Sequence, residues 1–299
     1  MKKEEYLLRG GDLTVTVKAP ESCGGTRFDR TGWIAQVRLE SAGVDFCVPE
    51  SLEAGAGTGG EGLSGEFGID KPIGYAEARP GGGFHKIGVG TLTRIDGGRY
   101  DFARTYPAEA HEVRTESGRG EIRFVSEAPD RGGYSAKLTK TIAIDGRRLH
   151  VRYGLKNLGR KAISTNEYVH NFVGIGGHPV GPDYVLRLPY APELKMLGDG
   201  GVEEKLALTD GELTWTSEAG GEYYALFGGF PVGEAPYWEL LHKPSGAGVR
   251  ESGDFDAAKL AVWGAGHVVA PEVFIDLELE PGESREWTRT YEFFAGGRS

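Results

Sequence analysis

The clearest combination of a titratable group with an apolar setting in this 299-residue chain is His170, in STNEYVHNFVGIGGHP from Ser164 to Pro179. If Asn166 to Phe172 is extended, the side-chain period of two sets Asn166, Tyr168, His170 and Phe172 on one face and Glu167, Val169 and Asn171 on the other. His170 then shares its face with two aromatic rings and an amide. That suits a pocket for a small polar ligand with apolar flanks, and an imidazole there can move a proton near neutral pH. A histidine on a mixed strand face also serves as a hydrogen-bonded structural residue, and this stretch alone leaves both readings open. A second place of this kind is FHKIGVG, where His85 and Lys86 enter an apolar run. Adjacent residues on a strand point to opposite faces, so at most one of the two faces a pocket.

Upstream, GTRFDRTGW offers Arg27 and Arg30 on a connection, where cations are expected in solvent, with a ligand contact as the alternative. The glycine- and acid-rich stretch from Glu50 to Gly83 shows no sustained period. Such a length without regular structure reads either as a functional loop or lid, carrying Glu66 and Tyr75 over a site, or as a surface excursion. No Walker pattern ends in Gly-Lys-Ser/Thr, and the glycine triplets do not lie between a strand and a helix, which argues against a phosphate loop.

The elements that must position these groups are strands. Leu13–Lys18 alternates apolar and polar residues, and Trp33–Glu40 repeats the pattern after the Gly24-Gly25 break. Gly43–Val48 and Arg99–Arg104 read as short strands, followed by Glu121–Ser126, Tyr134–Ile144 and Arg147–Lys156. The last two meet at Asp145-Gly146, a tight-hairpin signal, and Asp96-Gly97-Gly98 and Asp210-Gly211 are turns of the same type. Beyond His170, strands are predicted at Asp183–Leu188, Leu213–Ser217, Glu222–Phe227, Tyr237–His242, Gly248–Glu251 and Lys259–Trp263. Pro271–Glu280 places Val273, Ile275, Leu277 and Leu279 in an apolar phase and Glu272, Phe274, Asp276 and Glu278 in a polar one; Glu286–Phe294 closes the chain. With no convincing amphipathic helix, the expectation is a single all-β domain over 1–299, a large antiparallel β-sandwich.

Composition narrows the partners. Lysine and arginine number 34 against 44 acidic residues, a net charge of −10, with no cationic run, which argues against nucleic acid because binding phosphates needs clustered cations. The 49 glycines and 15 prolines punctuate β-branched and aromatic runs, so they read as turns and not disorder. Cys23 and Cys47 are too few for a disulfide framework and lack zinc-ligand spacing, which predicts free thiols and no metal. Neither a signal-peptide core nor an apolar run of about 18 residues occurs, so a cytoplasmic protein without a membrane partner is expected, as a monomer or homodimer.

The order of these features resembles the galactose mutarotase-like superfamily, which includes aldose 1-epimerases and hexose-6-phosphate mutarotases. STNEYVHNF resembles the family strand that presents a histidine, DYVLRLPYAPE the strand after it, and VVAPEVFIDLELEPGES the late strand presenting a glutamate, then a PGES-type turn and the closing strand. The likeness is specific from about Ser164 onward. Upstream the family's His-Gly-Gly type motif is replaced by FHKIGVG and GLSGEFGIDKPIGY, and Glu272 is followed by Val273 and Phe274 in place of Thr-Gln. The resemblance implies the supersandwich form of the fold. It implies that His170 donates a proton to the ring oxygen of a pyranose while Glu272 takes one from the anomeric hydroxyl, without cofactor or metal. It also implies a carbohydrate or sugar-phosphate ligand held by Lys86 or His85, Asn166, Glu66 and, less directly, Arg27, with Trp263 either stacking on a sugar face or packing in the core.

By alternation alone, Glu272 lies on the polar phase of its strand, where a carboxylate is ordinarily solvated. Other readings stay open. A sugar-binding or sensor domain would use the same fold without turnover. A cupin-type metal site needs clustered histidines, whereas His170 and His178 straddle a glycine-rich turn. A glycoside hydrolase or lyase needs paired carboxylates, for which Glu66, Glu167, Glu251 and Asp254 are available without a spacing that selects two.

Overall fold

The computed structural model describes residues 3–190, 192–198, 201–229 and 237–296. Ala191, within the DYVLRLPYAPE segment, lies outside them. The described residues form two large antiparallel sheets and a small one. The first runs Glu5–Gly10, Leu13–Lys18, Ile34–Leu39, Leu63–Phe67, Ile163–Asn171, Val268–Leu279, Lys259–Ala265, Tyr223–Gly228 and Glu193–Leu197, with Val44–Asp45 beside Ile34–Leu39. The second runs Leu206–Thr209, Glu212–Trp215, Tyr184–Arg187, Trp238–His242, Ala247–Gly253, Ser284–Phe294, Arg148–Asn157, Tyr134–Asp145, Glu121–Arg131 and Val113–Ser117. Gly83–Lys86, Gly90–Thr93 and Ala108–Ala110 make the third. Among the described residues, helical structure is limited to 3-10 turns such as Pro20–Ser22, and no helix is long and apolar enough to cross a membrane.

The two large sheets share one apolar core. Val15, Val17, Ile275 and Leu277 of the first sheet belong to the same buried cluster as Leu138, Ile142, Val151 and Trp287 of the second. Each comes from the apolar phase of an alternating strand, and burying those phases against one another drives the sheets together. The Asp210-Gly211 signal acts as expected, with φ of 50° and 79°, the pair of positive values that a two-residue turn between twisted strands requires, whereas Asp96-Gly97-Gly98 makes an Asx turn in the connection from Gly90–Thr93 to Ala108–Ala110 and no tight hairpin. Cys23 and Cys47 are free thiols, both buried.

Two further expectations are corrected. Arg99–Arg104 is no strand, because Asp101 Oδ1 accepts the Ala103 N–H at 3.0 Å in an Asx turn, and the Tyr106 hydroxyl takes the Asp101 N–H at 3.1 Å. The Glu50–Gly83 stretch is no continuous loop, since Leu63–Phe67 within it is a wholly buried central strand. Its Leu-Ser-Gly-Glu-Phe sequence hides the strand because both faces are buried and one of them is polar.

Candidate functional site

The face of the first sheet turned away from the core carries the site. Alternation places Asn166, Tyr168, His170 and Phe172 there, as the sequence implies, while Glu167, Val169 and Asn171 face the second sheet. His170 lies opposite Ser64 on one side, and Glu272 opposite Ala261 on the other. The next row along the strands reads Glu66, Tyr168, Phe274 and Lys259. Small side chains thus flank the histidine and glutamate, whereas large ones rise on either hand.

The ladder between Ile163–Asn171 and Val268–Leu279 ends at Glu167↔Ile275 and resumes in the same register as a single bridge at Val173↔Val269. Continuing that register sets His170 directly across from Glu272. Their side chains meet, with His170 Nε2 3.0 Å from Glu272 Oε1. Glu272 is therefore not the solvated carboxylate that its strand phase suggests. It is 5% exposed and Phe274 3%, while Asp276 and Glu278 of the same phase stand in solvent.

Around the imidazole the walls are aromatic. Phe172 stacks on it at 3.9 Å between centroids, and Trp263 and Phe28 meet it edge-on at 5.4 and 6.3 Å. Burial, with the nearby Arg27 charge, holds His170 well below the usual histidine range. Burial, aided by Glu66 and opposed by Arg27 and Lys259, pushes the Glu272 carboxyl up to about 8. At neutral pH the pair is accordingly a neutral carboxylic acid against a neutral imidazole, holding one proton between them. Ionising both would require two desolvated charges.

Beside the pair lies a charged cluster. Arg27 Nε and Lys86 Nζ reach Glu66 at 2.9 and 2.6 Å, and the Tyr168 hydroxyl donates to the same carboxylate at 2.6 Å. Burial opposes ionisation of Glu66, but Lys86 and Arg27 outweigh it and hold the carboxyl below its ordinary value. Arg27 also donates to Thr58 at 2.6 Å and to Tyr168 at 2.9 Å, and its guanidinium lies between the Phe28 and Phe102 rings at 4.5 and 4.4 Å. Arg27 is 7% exposed, correcting its expected place in solvent. The GTRFDRTGW connection folds back over the sheet because Asp29 N–H bonds Gly65 O, which carries the preceding arginine to Glu66.

The structure brings together His170, Glu272, Arg27, Glu66, Lys86 and Trp263. It does not bring in His85, whose side chain leaves the opposite face of its strand to meet Thr91 and the His111 ring. Asn166 shares the His170 face but lies farther along it, where it donates to Asp70 and accepts the Ile69 N–H. Tyr75 packs with Phe84 and Tyr100 in a separate cluster. Thr58, Phe102, Tyr224 and Lys259 escaped the sequence reading. Lys259 lies over the Phe274 ring at 4.2 Å and Tyr224 is paired opposite Trp263, so only strand order brings them near Glu272.

The carboxylates named for a hydrolase are otherwise occupied. Glu167 and Glu251 lie beneath the sheet on Arg289 at 2.6 Å each, Glu66 is held by two cations, and Asp254 is exposed. No cluster of three or more His, Cys, Asp or Glu suited to a metal occurs among the described residues. Cavities of about 590 and 570 Å³ open elsewhere, against Leu188 and Tyr190 and against Thr139 and Gly154. The His170–Glu272 pair is closed over by side chains in this state.

The raised carboxyl has a measurable cost. A group whose folded value lies above its unfolded one favours the fold fully below the unfolded value, and loses that advantage as pH rises through the folded one. For Glu272 the window runs from 4.5 to about 8. Glu272→Gln removes the penalty. Urea unfolding should show the variant more stable than the native chain by about 1–4 kcal/mol at pH 9, with the difference shrinking toward pH 4.5.

No protein-family model matches the chain, and no curated protein matches its sequence. Solved structures do match in fold. A galactose mutarotase related enzyme from Lactobacillus acidophilus is 12% identical, with a TM-score of 0.62 over 97% of each chain. A galactose mutarotase-like protein from Lactobacillus casei is 13% identical, with a TM-score of 0.62 over 97% of this chain and 100% of its own. An aldose epimerase homologue from C. elegans is 11% identical, with a TM-score of 0.59 over 98% of this chain and 100% of its own. Two large antiparallel sheets, matched to these structures over nearly the whole chain, give this protein the galactose mutarotase-like β-sandwich fold.

Proposed function

We propose that the protein interconverts the α and β anomers of an aldose or an aldose phosphate by acid–base catalysis at His170 and Glu272. The observation that carries this reading is the His170 Nε2 to Glu272 Oε1 distance of 3.0 Å across the interrupted ladder, in an aromatic-walled site. Opening a pyranose hemiacetal needs a proton delivered to the ring oxygen and another withdrawn from the anomeric hydroxyl. The C1–O5 bond then breaks to a carbonyl, rotation about C1–C2 exposes its other face, and reclosure exchanges the two roles. A pair holding one proton suits a reaction that runs through both directions.

Before a sugar enters, the proton rests on Glu272. A sugar entering between the two side chains parts them, and transfer to His170 leaves Glu272 as the base for the O1 proton while the imidazolium serves the ring oxygen. Lys259 favours that transfer, since its charge lowers the proton affinity of Glu272, whereas Arg27 lowers that of both groups. Trp263 and the Tyr168–Phe274 stack offer apolar walls for sugar faces. Binding without turnover is the second reading. It is favoured by the direct contact of the pair, which leaves catalysis only if a ligand separates them.

The test is exchange NMR of anomer interconversion over neutral hexoses, pentoses and their phosphates. Acceleration is expected for at least one class, with kcat/KM falling about tenfold per pH unit above about 8 as the pair loses its proton. Saturable binding with no acceleration would establish the second reading.

A further inference from the structure

We infer that Asn171 and Arg289, lying beneath the sheet, are positioning residues that set the separation of His170 and Glu272. The interrupted ladder is where the inference starts. Between Glu167↔Ile275 and Val173↔Val269 the two central strands form no ladder pair, although each remains paired on its outer side, to Leu63–Phe67 and to Lys259–Ala265. Pro271 sits in the gap and has no N–H with which to continue the ladder. A split of this kind leaves the relative placement of the facing residues unspecified by backbone bonds.

Side chains from the core span the split instead. Asn171 Nδ2 donates to Pro271 O at 2.6 Å, joining the residue after His170 to the residue before Glu272. Arg289 Nη2 donates to Val273 O at 2.9 Å, the carbonyl just beyond Glu272, and to Glu167 Oε2 at 2.6 Å on the histidine strand. Arg289 Nη1 and Asn171 Nδ2 also converge on Glu251, at 2.6 and 3.3 Å, and Trp238 Nε1 donates to the same carboxylate at 2.8 Å. Glu251, Glu167, Asn171 and Arg289 are all fully buried. The network thus grips the backbone on both sides of Glu272 and ties it to Asn171 and Glu167, which lie one residue after and three residues before His170 on the other strand. The opening between the strands is held at a width that lets two side chains, or a sugar between them, occupy the outer face.

The kinetic part rests on the reading of His170 and Glu272 as an acid–base pair; the geometric part does not. The experiment is Asn171→Ala in the full chain, with Asn171→Ser, which keeps a shorter hydroxyl donor, carrying the same test if the alanine variant does not fold. The first readout is titration of the His170 imidazole by carbon-detected NMR without ligand. Glu272, Arg27 and Tyr168 lie beside the imidazole, and Glu66 and Lys259 act on it through Glu272; none of them hydrogen-bonds Asn171. The native imidazole should stay neutral through the ordinary histidine range, and in the variant its midpoint should move up by at least about one pH unit as the pair separates and water enters. The second readout is anomer exchange: kcat should fall about 10–100-fold with KM within about threefold, the pattern of a misplaced reacting group. A folded variant with the native His170 titration overturns the inference, whatever its activity. A shifted titration in a protein with no mutarotase activity upholds the positioning role and removes the catalytic one.

Discussion

His170→Asn and Glu272→Gln should each lower catalysed anomer exchange by about 10²–10⁴-fold, measured as kcat by exchange NMR on whichever sugar class the native protein accelerates. The magnitude follows from what each group supplies. Asparagine keeps a polar side chain of similar reach but cannot carry a proton through the cycle, and glutamine keeps the Glu272 shape without a basic oxygen. Because one proton is held between the two groups, removing either leaves the other without a counterpart, and the double variant should be little worse than each single one. Affinity for sugar should change far less, since Trp263 on one side and the Tyr168–Phe274 stack on the other remain. A native rate enhancement that survives both substitutions would place the chemistry elsewhere. Full multiplicative losses in the double variant would mean that the two groups act independently and not as a pair.

Arg289→Met should destabilise the protein by about 3–5 kcal/mol, read from urea midpoints, because it leaves buried carboxylates without their cation. Glu167 and Glu251 each lie 2.6 Å from the guanidinium and are fully buried with it. Arg289 is held well above its ordinary value, burial notwithstanding, by those two carboxylates. Glu251, by contrast, is raised by burial despite Arg289, so the cluster holds the cation firmly and one of its two carboxylates less firmly. The triple variant Arg289→Met, Glu167→Leu, Glu251→Gln should recover most of the loss, since apolar replacement of a whole buried ion cluster is often neutral, and glutamine still accepts from Trp238 Nε1 and Asn171 Nδ2. If the triple variant were as unstable as Arg289→Met alone, packing of the arginine stem and not charge would be its main contribution.

How much of this was legible in advance differs between fold and site. LTVTVK and PEVFIDLELE declare their buried phases in sequence, and Val15, Val17, Ile275 and Leu277 lie in the core as those phases require. EWTRTYEFF placed an arginine in the same phase as Trp287, Tyr291 and Phe293, a signal of a buried cation that could have been read and was not. GLSGEF gave no such warning, because a strand buried on both faces with a glutamate on one of them has no alternation to detect.

By itself, the amino-acid sequence determined the class of fold, the hairpins at Asp145-Gly146 and Asp210-Gly211 and the face from which His170 projects, all of which follow from local rules: side-chain period, turn chemistry and burial of apolar phases. Only the tertiary structure decided that Glu272 is buried against His170, that Arg27 leaves solvent for Glu66 and that His85 turns away from Lys86's partner. The His170–Glu272 contact depends on strand order between residues 102 apart and on a ladder interrupted at Pro271, and the Arg27–Glu66 and Lys86–Glu66 contacts on the folding together of segments 39 and 20 residues apart. No local pattern encodes either, because alternation says which side of a strand a residue takes and not which strand lies beside it.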